Sequence, residues 1–243
     1  MESLTPREVR LSSQRLPIRV RKVRRPRFPY GKDYRPRIHQ SGCCLSSLRR
    51  EVNKEVRAAA SEKPAKERLP TETQLKAAER IGRLALDADL SVIRQQLISF
   101  ALDYERIRAT MPAGDERTRR MEVVTAKIRT LAIAGFPLID EFSQSSSPGQ
   151  RLLAVVMLQV KPDAQYLPWL AERLAVEKPF IGYHAAVALL TAARVLPVTD
   201  HQKILDAVRA AKLHLGIGKD TTDRMDILDA AEKELSGPAK RRK

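Results

Sequence analysis

One stretch limits the fold more than any other. The apolar residues Ile93, Leu97, Phe100, Tyr104, Ile107 and Met111 follow one another at spacings of 4, 3, 4, 3 and 4. That spacing returns to one helix face every two turns, whereas a strand would alternate every second residue. Residues 93–111 are therefore a long amphipathic helix, and Pro112-Ala113-Gly114 stops it. A second helix starts at Gly114 or Asp115 and repeats the rhythm through Met121, Val124, Ile128 and Leu131, with Gly135 expected as a left-handed cap.

The rest of the chain from Thr71 follows the same logic. Thr71 or Thr73 caps a helix with Leu75, Ala78, Ile81, Leu84 and Leu86 as its apolar positions. Phe136 to Phe142 forms a short helix with Pro137 in its first turn, and Ser143 to Ser147 is a polar loop. Ser147-Pro148 reads as an N-cap followed by a first-turn proline. Helices are predicted over about 149–160, 163–175, 180–195, 199–214 and 221–236, split by Pro, Gly, Asp or Thr. No segment alternates with period 2, so the fold class is all-α, with about nine helices joined by short connections. Ala154-Val-Val-Met-Leu158 returns as Ala186-Val-Ala-Leu-Leu190, 32 residues later, each followed by an amphipathic helix. A repeat of that length per helix pair is the pattern of an α-solenoid.

Charge divides the chain into three parts. Residues 1–70 hold 19 Lys/Arg against 7 Asp/Glu, residues 71–239 hold 22 of each, and 240–243 add four, which recovers the net +16. The expected organisation is a basic, disordered leader over 1–70, a helical domain over 71–236 and a short basic tail over 237–243. Within the leader, residues 19–37 carry nine Lys/Arg and one Asp, punctuated by Pro26, Pro29 and Pro36. Like charges and prolines oppose folding there. Residues 47–69 are expected to form no more than a transient charged helix, with Pro70 as a boundary. The prolines also argue against an organelle transit helix, and no apolar run reaches the roughly 18 residues that span a bilayer. Cys43 and Cys44 are adjacent, which disfavours a disulfide between them. A cytoplasmic protein without a membrane partner is expected.

Few residues suggest chemistry. His184 stands in Glu177-Lys-Pro-Phe-Ile-Gly-Tyr-His-Ala-Ala-Val-Ala-Leu-Leu-Thr-Ala-Ala193, whose helix is apolar on nearly all sides. The segment reads as the inside of a helical stack, with a partner backbone expected near Gly182. The four histidines, at 39, 184, 201 and 214, lack metal-ligand spacing, and no nucleophile motif occurs, so no metal, cofactor or catalytic residue is expected. Gly216-Ile-Gly-Lys-Asp-Thr-Thr222 lacks the phosphate-loop spacing and reads as a helix stop and cap. Arg117, Arg119 and Arg120 crowd one corner. They read as a solvated set of local ion pairs, or as a docking patch for an acidic partner to which Tyr183 and His184 also contribute. In the leader, Arg19, Arg21, Lys22, Arg24, Arg25, Arg27, Phe28 and Tyr30 are candidates for phosphate contacts and base stacking. The leader reads equally well as an extension upstream of the true start.

Three phrases together carry a resemblance: "YERIRATMPAGDERTRRM" (104–121), "SPGQRLLAVVMLQVKPDAQYLPWLAERLAVEKPF" (147–180) and "GYHAAVALLTAAR" (182–194). Residues 71–236 resemble HEAT-like helical modules attached to bacterial effector and conflict-system proteins. The resemblance implies an irregular HEAT-like α-solenoid or superhelical bundle. It also implies a non-catalytic module for protein–protein interaction or regulation, serving a separately encoded effector enzyme. Gly182-Tyr183 stand where such repeats place Val-Arg. A nucleic-acid-binding accessory protein acting through residues 19–37 is the alternative.

Overall fold

Pro112 and Gly114 break the chain where expected. In the computed structural model, α3 (Leu90–Thr110) and α4 (Asp115–Gly135) flank them, and Gly114 is the N-cap with φ of 152°. The structure describes residues 41–61, 68–85, 90–216 and 221–236. The other helices are α1 (Ser41–Ser61), α2 (Glu72–Ala85), α5 (Ile139–Ser143), α6 (Pro148–Val160), α7 (Leu167–Val176), α8 (Pro179–Val195), α9 (His201–Leu215) and α10 (Thr222–Ser236). Single 3₁₀ turns lead into α5, α7 and α9. No strand occurs among the described residues, so the fold is all-α. From residue 71 onward, α2 to α10 take the places of the nine expected helices. The basic leader residues from Arg19 to Tyr30 and the tail over 237–243 lie outside the described residues, as does part of the loop after Gly216.

Local chemistry explains the starts. Thr71 Oγ1 accepts from the Gln74 backbone N–H at 3.2 Å, and Gln74 Oε1 accepts from the Thr71 N–H at 3.4 Å. This reciprocal pair is a capping box. Ser147 Oγ accepts from the Gln150 N–H at 3.1 Å, with Pro148 in the first turn, as expected. The same hydroxyl donates to Glu105 Oε1 of α3 at 2.5 Å, and the Gly149 N–H donates to that oxygen at 2.9 Å. A Cβ on Gly149 would stand 2.5 Å from the Ala101 carbonyl oxygen, so only glycine lets α6 start this close to α3.

The centre is made by the two helices that share the repeated apolar phrase. Leu152 to Leu158 of α6 and Phe180 to Leu190 of α8 are buried without interruption. Helices apolar on every side belong between neighbours, and each of these two has them. The α4 helix packs on α6, α6 on α8 and α8 on α10, while α7 packs on both α8 and α9. The α1, α2 and α3 helices close around α4.

Two expectations change. Residues 41–61 form a full helix against α4 and α2, burying Leu48, Val52 and Ala59, so the packed unit begins upstream of Pro70. The stripe is lean, and it includes Glu55, which is buried because Arg80 Nη2 of α2 pairs with it at 2.5 Å. Gly135 has φ of −85° and is no left-handed cap. A Cβ there would come within 2.6 Å of Leu97 Cδ1 and 2.8 Å of Met157 Cε, two flexible side-chain ends that would have to shift to admit it. At Gly182 the α7 backbone does come near, at ordinary contact distance: an added Cβ would stand 3.8 Å from the Leu174 Cα.

Candidate functional site

His184 is fully buried on α8, one turn past Pro179. Around it stand Glu122 and Arg129 of α4, Gln159 in the last turn of α6 and Arg68 just before α2, and Gln74 of α2 joins through its Oε1, which accepts from Arg129 Nη1 at 3.4 Å. Glu122, Thr125 and Arg129 fall at spacings of three and four, one helix face, so α4 delivers all three together.

Gln159 fixes the proton arrangement. Its Oε1 accepts from Arg129 Nη2 at 2.8 Å and from Nε at 3.1 Å. Its Nε2 therefore faces α8, donating to the His184 carbonyl at 2.8 Å and standing 3.1 Å from His184 Nδ1. Nδ1 is then the acceptor, and the imidazole proton belongs on Nε2. Nε2 lies 3.2 Å from Glu122 Oε1, off the line of an ideal hydrogen bond. Arg68 Nη1 reaches the same oxygen at 3.1 Å, and Thr125 Oγ1 donates to Oε2 at 3.1 Å. Arg129 Nη2 also donates to the Arg68 carbonyl at 2.6 Å, which holds Arg68 in the left-handed region at φ 51°.

The charges follow from this geometry. Burial pushes the His184 pKa down, and Arg129 and Arg68 add to that against the opposing pull of Glu122. Two guanidiniums and one carboxylate already leave the hub at +1, so a further proton on the ring is disfavoured and His184 is neutral. Burial pushes Glu122 up, but His184, Arg68 and Arg129 outweigh it and hold the carboxyl down at about 2. The hub is a cross-link between α2, α4, α6 and α8. Both ring nitrogens of His184 face partners, and no atom of the residue meets solvent. Tyr183 is buried beside it, with Arg68 stacked over its ring at 4.9 Å. Neither residue is available to a docking partner, which corrects that part of the expectation.

The arginine corner lies elsewhere. Arg119 Nη1 and Arg120 Nε share Glu116 at 2.9 and 3.0 Å, and both arginines are exposed. Arg117 is half-buried and turns back to the Met111 carbonyl at 3.4 Å. Next to the corner, Tyr104 is buried and stacks on Phe180 at 5.7 Å, and Phe180 in turn meets the His184 ring edge-on at 4.6 Å. Aromatic contact thus runs from the corner to the hub. Glu177, after α7, pairs with Arg151 of α6 and, at 3.5 Å, with Arg173 of α7.

Sequence reasoning missed Glu122, Arg129, Gln159 and Arg68. The one legible trace was the polar stripe 122, 125, 129, which runs at helical spacing beside the apolar stripe of α4. Among the described residues no group of three or more His, Cys, Asp or Glu could hold a metal ion, and no helix is long and apolar enough to cross a membrane. No protein-family model matches the chain, and neither the curated proteins nor the solved structures give a match.

Proposed function

We propose that this chain is a non-catalytic helical interaction module, an irregular HEAT-like solenoid that regulates or adapts a separately encoded bacterial effector enzyme. The stacking of alternate helices carries this reading: α4 on α6, α6 on α8, α8 on α10, and α7 on α9. Helix pairs stacked in this way build extended side surfaces suited to binding other proteins. The buried hub supports it too, because its polar groups are spent on joining four helices. Arg117, Arg119 and Arg120 are the residues we assign to docking, since they stand at an accessible corner. Affinity purification of the full tagged chain from its native cells tests the reading, with Arg117→Glu/Arg119→Glu/Arg120→Glu as the control. A stoichiometric protein partner, retained by the wild type and lost from the triple variant, supports it. A chain that stays alone in both forms sinks it.

The leader's nine Lys/Arg over 19–37 favour a second reading, nucleic-acid binding. If 5–8 of them meet phosphates, duplex binding should show a log–log salt slope of roughly −4.5 to −7, at about −0.9 per contact. Deleting residues 1–40 should then remove nearly all affinity. A full chain that fails to shift DNA at about 50 mM salt removes this reading.

A further inference from the structure

Two arginines at the corner differ from their neighbours. Arg106 pairs with Asp103, and Arg119 and Arg120 share Glu116. Arg108 and Arg117 pair with no carboxylate among the described residues, although Arg117 touches the Met111 carbonyl. These two flank Tyr104. Arg108 is one helical turn beyond it on α3, and both guanidiniums act on its phenol, with Glu177 opposing them. The phenol oxygen is fully buried and makes no hydrogen bond, and Arg117 Nε is in the same condition. Arg108 can only donate to the phenol oxygen, so what the Tyr104 O–H lacks is an acceptor. Glu177 does not supply one in this arrangement: the phenol makes no hydrogen bond to it, and Arg151 and Arg173 both hold its Oε1. A buried hydroxyl without an acceptor weakens a fold and calls for an explanation.

We propose that Tyr104, Arg108 and Arg117 receive a carboxylate side chain from an acidic segment of a partner protein. The Tyr104 hydroxyl is the buried donor and the two guanidiniums are the grip. This rests on the interaction-module reading and names the chemistry of its partner. A carboxylate matches the planar guanidinium fork and has a second oxygen free for the phenol. It brings one negative charge, whereas a phosphate dianion would face Glu177 with two. The exposed Arg119 and Arg120 then meet further acidic residues of the same segment. Arg108 and Arg117 are only half-buried, so their side chains can swing outward to admit it.

The test uses the full chain and a fluorescein-labelled decapeptide of alternating Glu and Asp, read by fluorescence anisotropy. Tyr104→Phe removes the hydroxyl and keeps the ring against Phe180. It should weaken peptide binding roughly 10-fold or more, the size of one charge-assisted hydrogen bond, while the unfolding midpoint stays or rises. Arg108→Ala/Arg117→Ala should abolish binding, and Arg106→Ala should leave it within about twofold, as a rim charge does. Unchanged affinity in Tyr104→Phe overturns the proposal. So does a lowered midpoint, which would reveal an internal partner for the hydroxyl. Tyr104-dependent binding of a single-stranded oligonucleotide in place of the peptide also overturns it. If the peptide fails while the wild-type chain still captures a protein in the purification above, this site falls and the module reading stands.

Discussion

Replacing Glu122 by Gln should destabilise this protein far more than its near-identical shape suggests. The carboxylate sits between Arg68 at 3.1 Å and His184 at 3.2 Å, with Arg129 across the hub. Glu122→Gln takes the hub from one net positive charge to two while it remains buried. Breaking a buried ion pair from one side costs about 3–5 kcal/mol. The carboxyl pKa, held down from 4.5 to about 2, points in the same direction. The unfolding midpoint should drop by roughly 10 °C for a chain of this size. Urea unfolding followed by circular dichroism at pH 7.5 measures the loss. Because the folded pKa is depressed, the stabilisation is present above about pH 4.5 and fades as the pH falls towards 2. The gap between wild type and Glu122→Gln should therefore close over that interval. A loss below about 1 kcal/mol, the size of an exposed pair, or a gap independent of pH, would refute the charge argument.

Three further outcomes follow from the same geometry. His184 is held neutral in the fold, so the unfolded chain binds more protons below its ordinary pKa of 6.5 and stability should fall as the pH drops from there. In His184→Gln that decline between pH 7 and 5 should vanish from a midpoint-against-pH series. Leu48→Ala should cost about 2–5 kcal/mol in urea unfolding, because α1 buries that side chain. A loss within about 0.5 kcal/mol, as at surface sites, would mean that α1 is not part of the packed unit. Gly149→Ala should destabilise by at least 1–3 kcal/mol, roughly the cost of overpacking, since its Cβ would meet the Ala101 carbonyl at 2.5 Å. A neutral result in thermal unfolding would show that α6 and α3 can separate there.

What the sequence revealed was what is local in sequence. The spacing from Ile93 to Met111 marks α3, and Ser147-Pro148 marks the start of α6, because periodicity and caps are set within a few neighbours. The apolar run after His184 correctly placed α8 in the interior. The hub was not legible, since its bonds join residues far apart: Gln159 to His184 across 25 positions and Arg129 to Arg68 across 61. Near Arg129 the polar stripe 122, 125, 129 is the one trace, and it does not say that the arginine is buried. The sequence reads only as a transient charged helix over 47–69, and the place of α1 in the packed unit was missed for a related reason. Glu55 breaks its apolar stripe, and only Arg80, 25 residues on, makes that carboxylate tolerable inside. Gly135 was misread because its helix-ending position suggested a left-handed backbone, whereas its φ is negative and its close neighbours are the side-chain ends of Leu97 and Met157.

Hydrogen–deuterium exchange on the full chain, with and without its captured partner, tests the interaction-module account most directly. The account expects protection at the end of α3, the start of α4 and the starts of α6 and α8, with the already slow amides around His184 unchanged. Protection confined to other helices, or none at saturating partner, would contradict it.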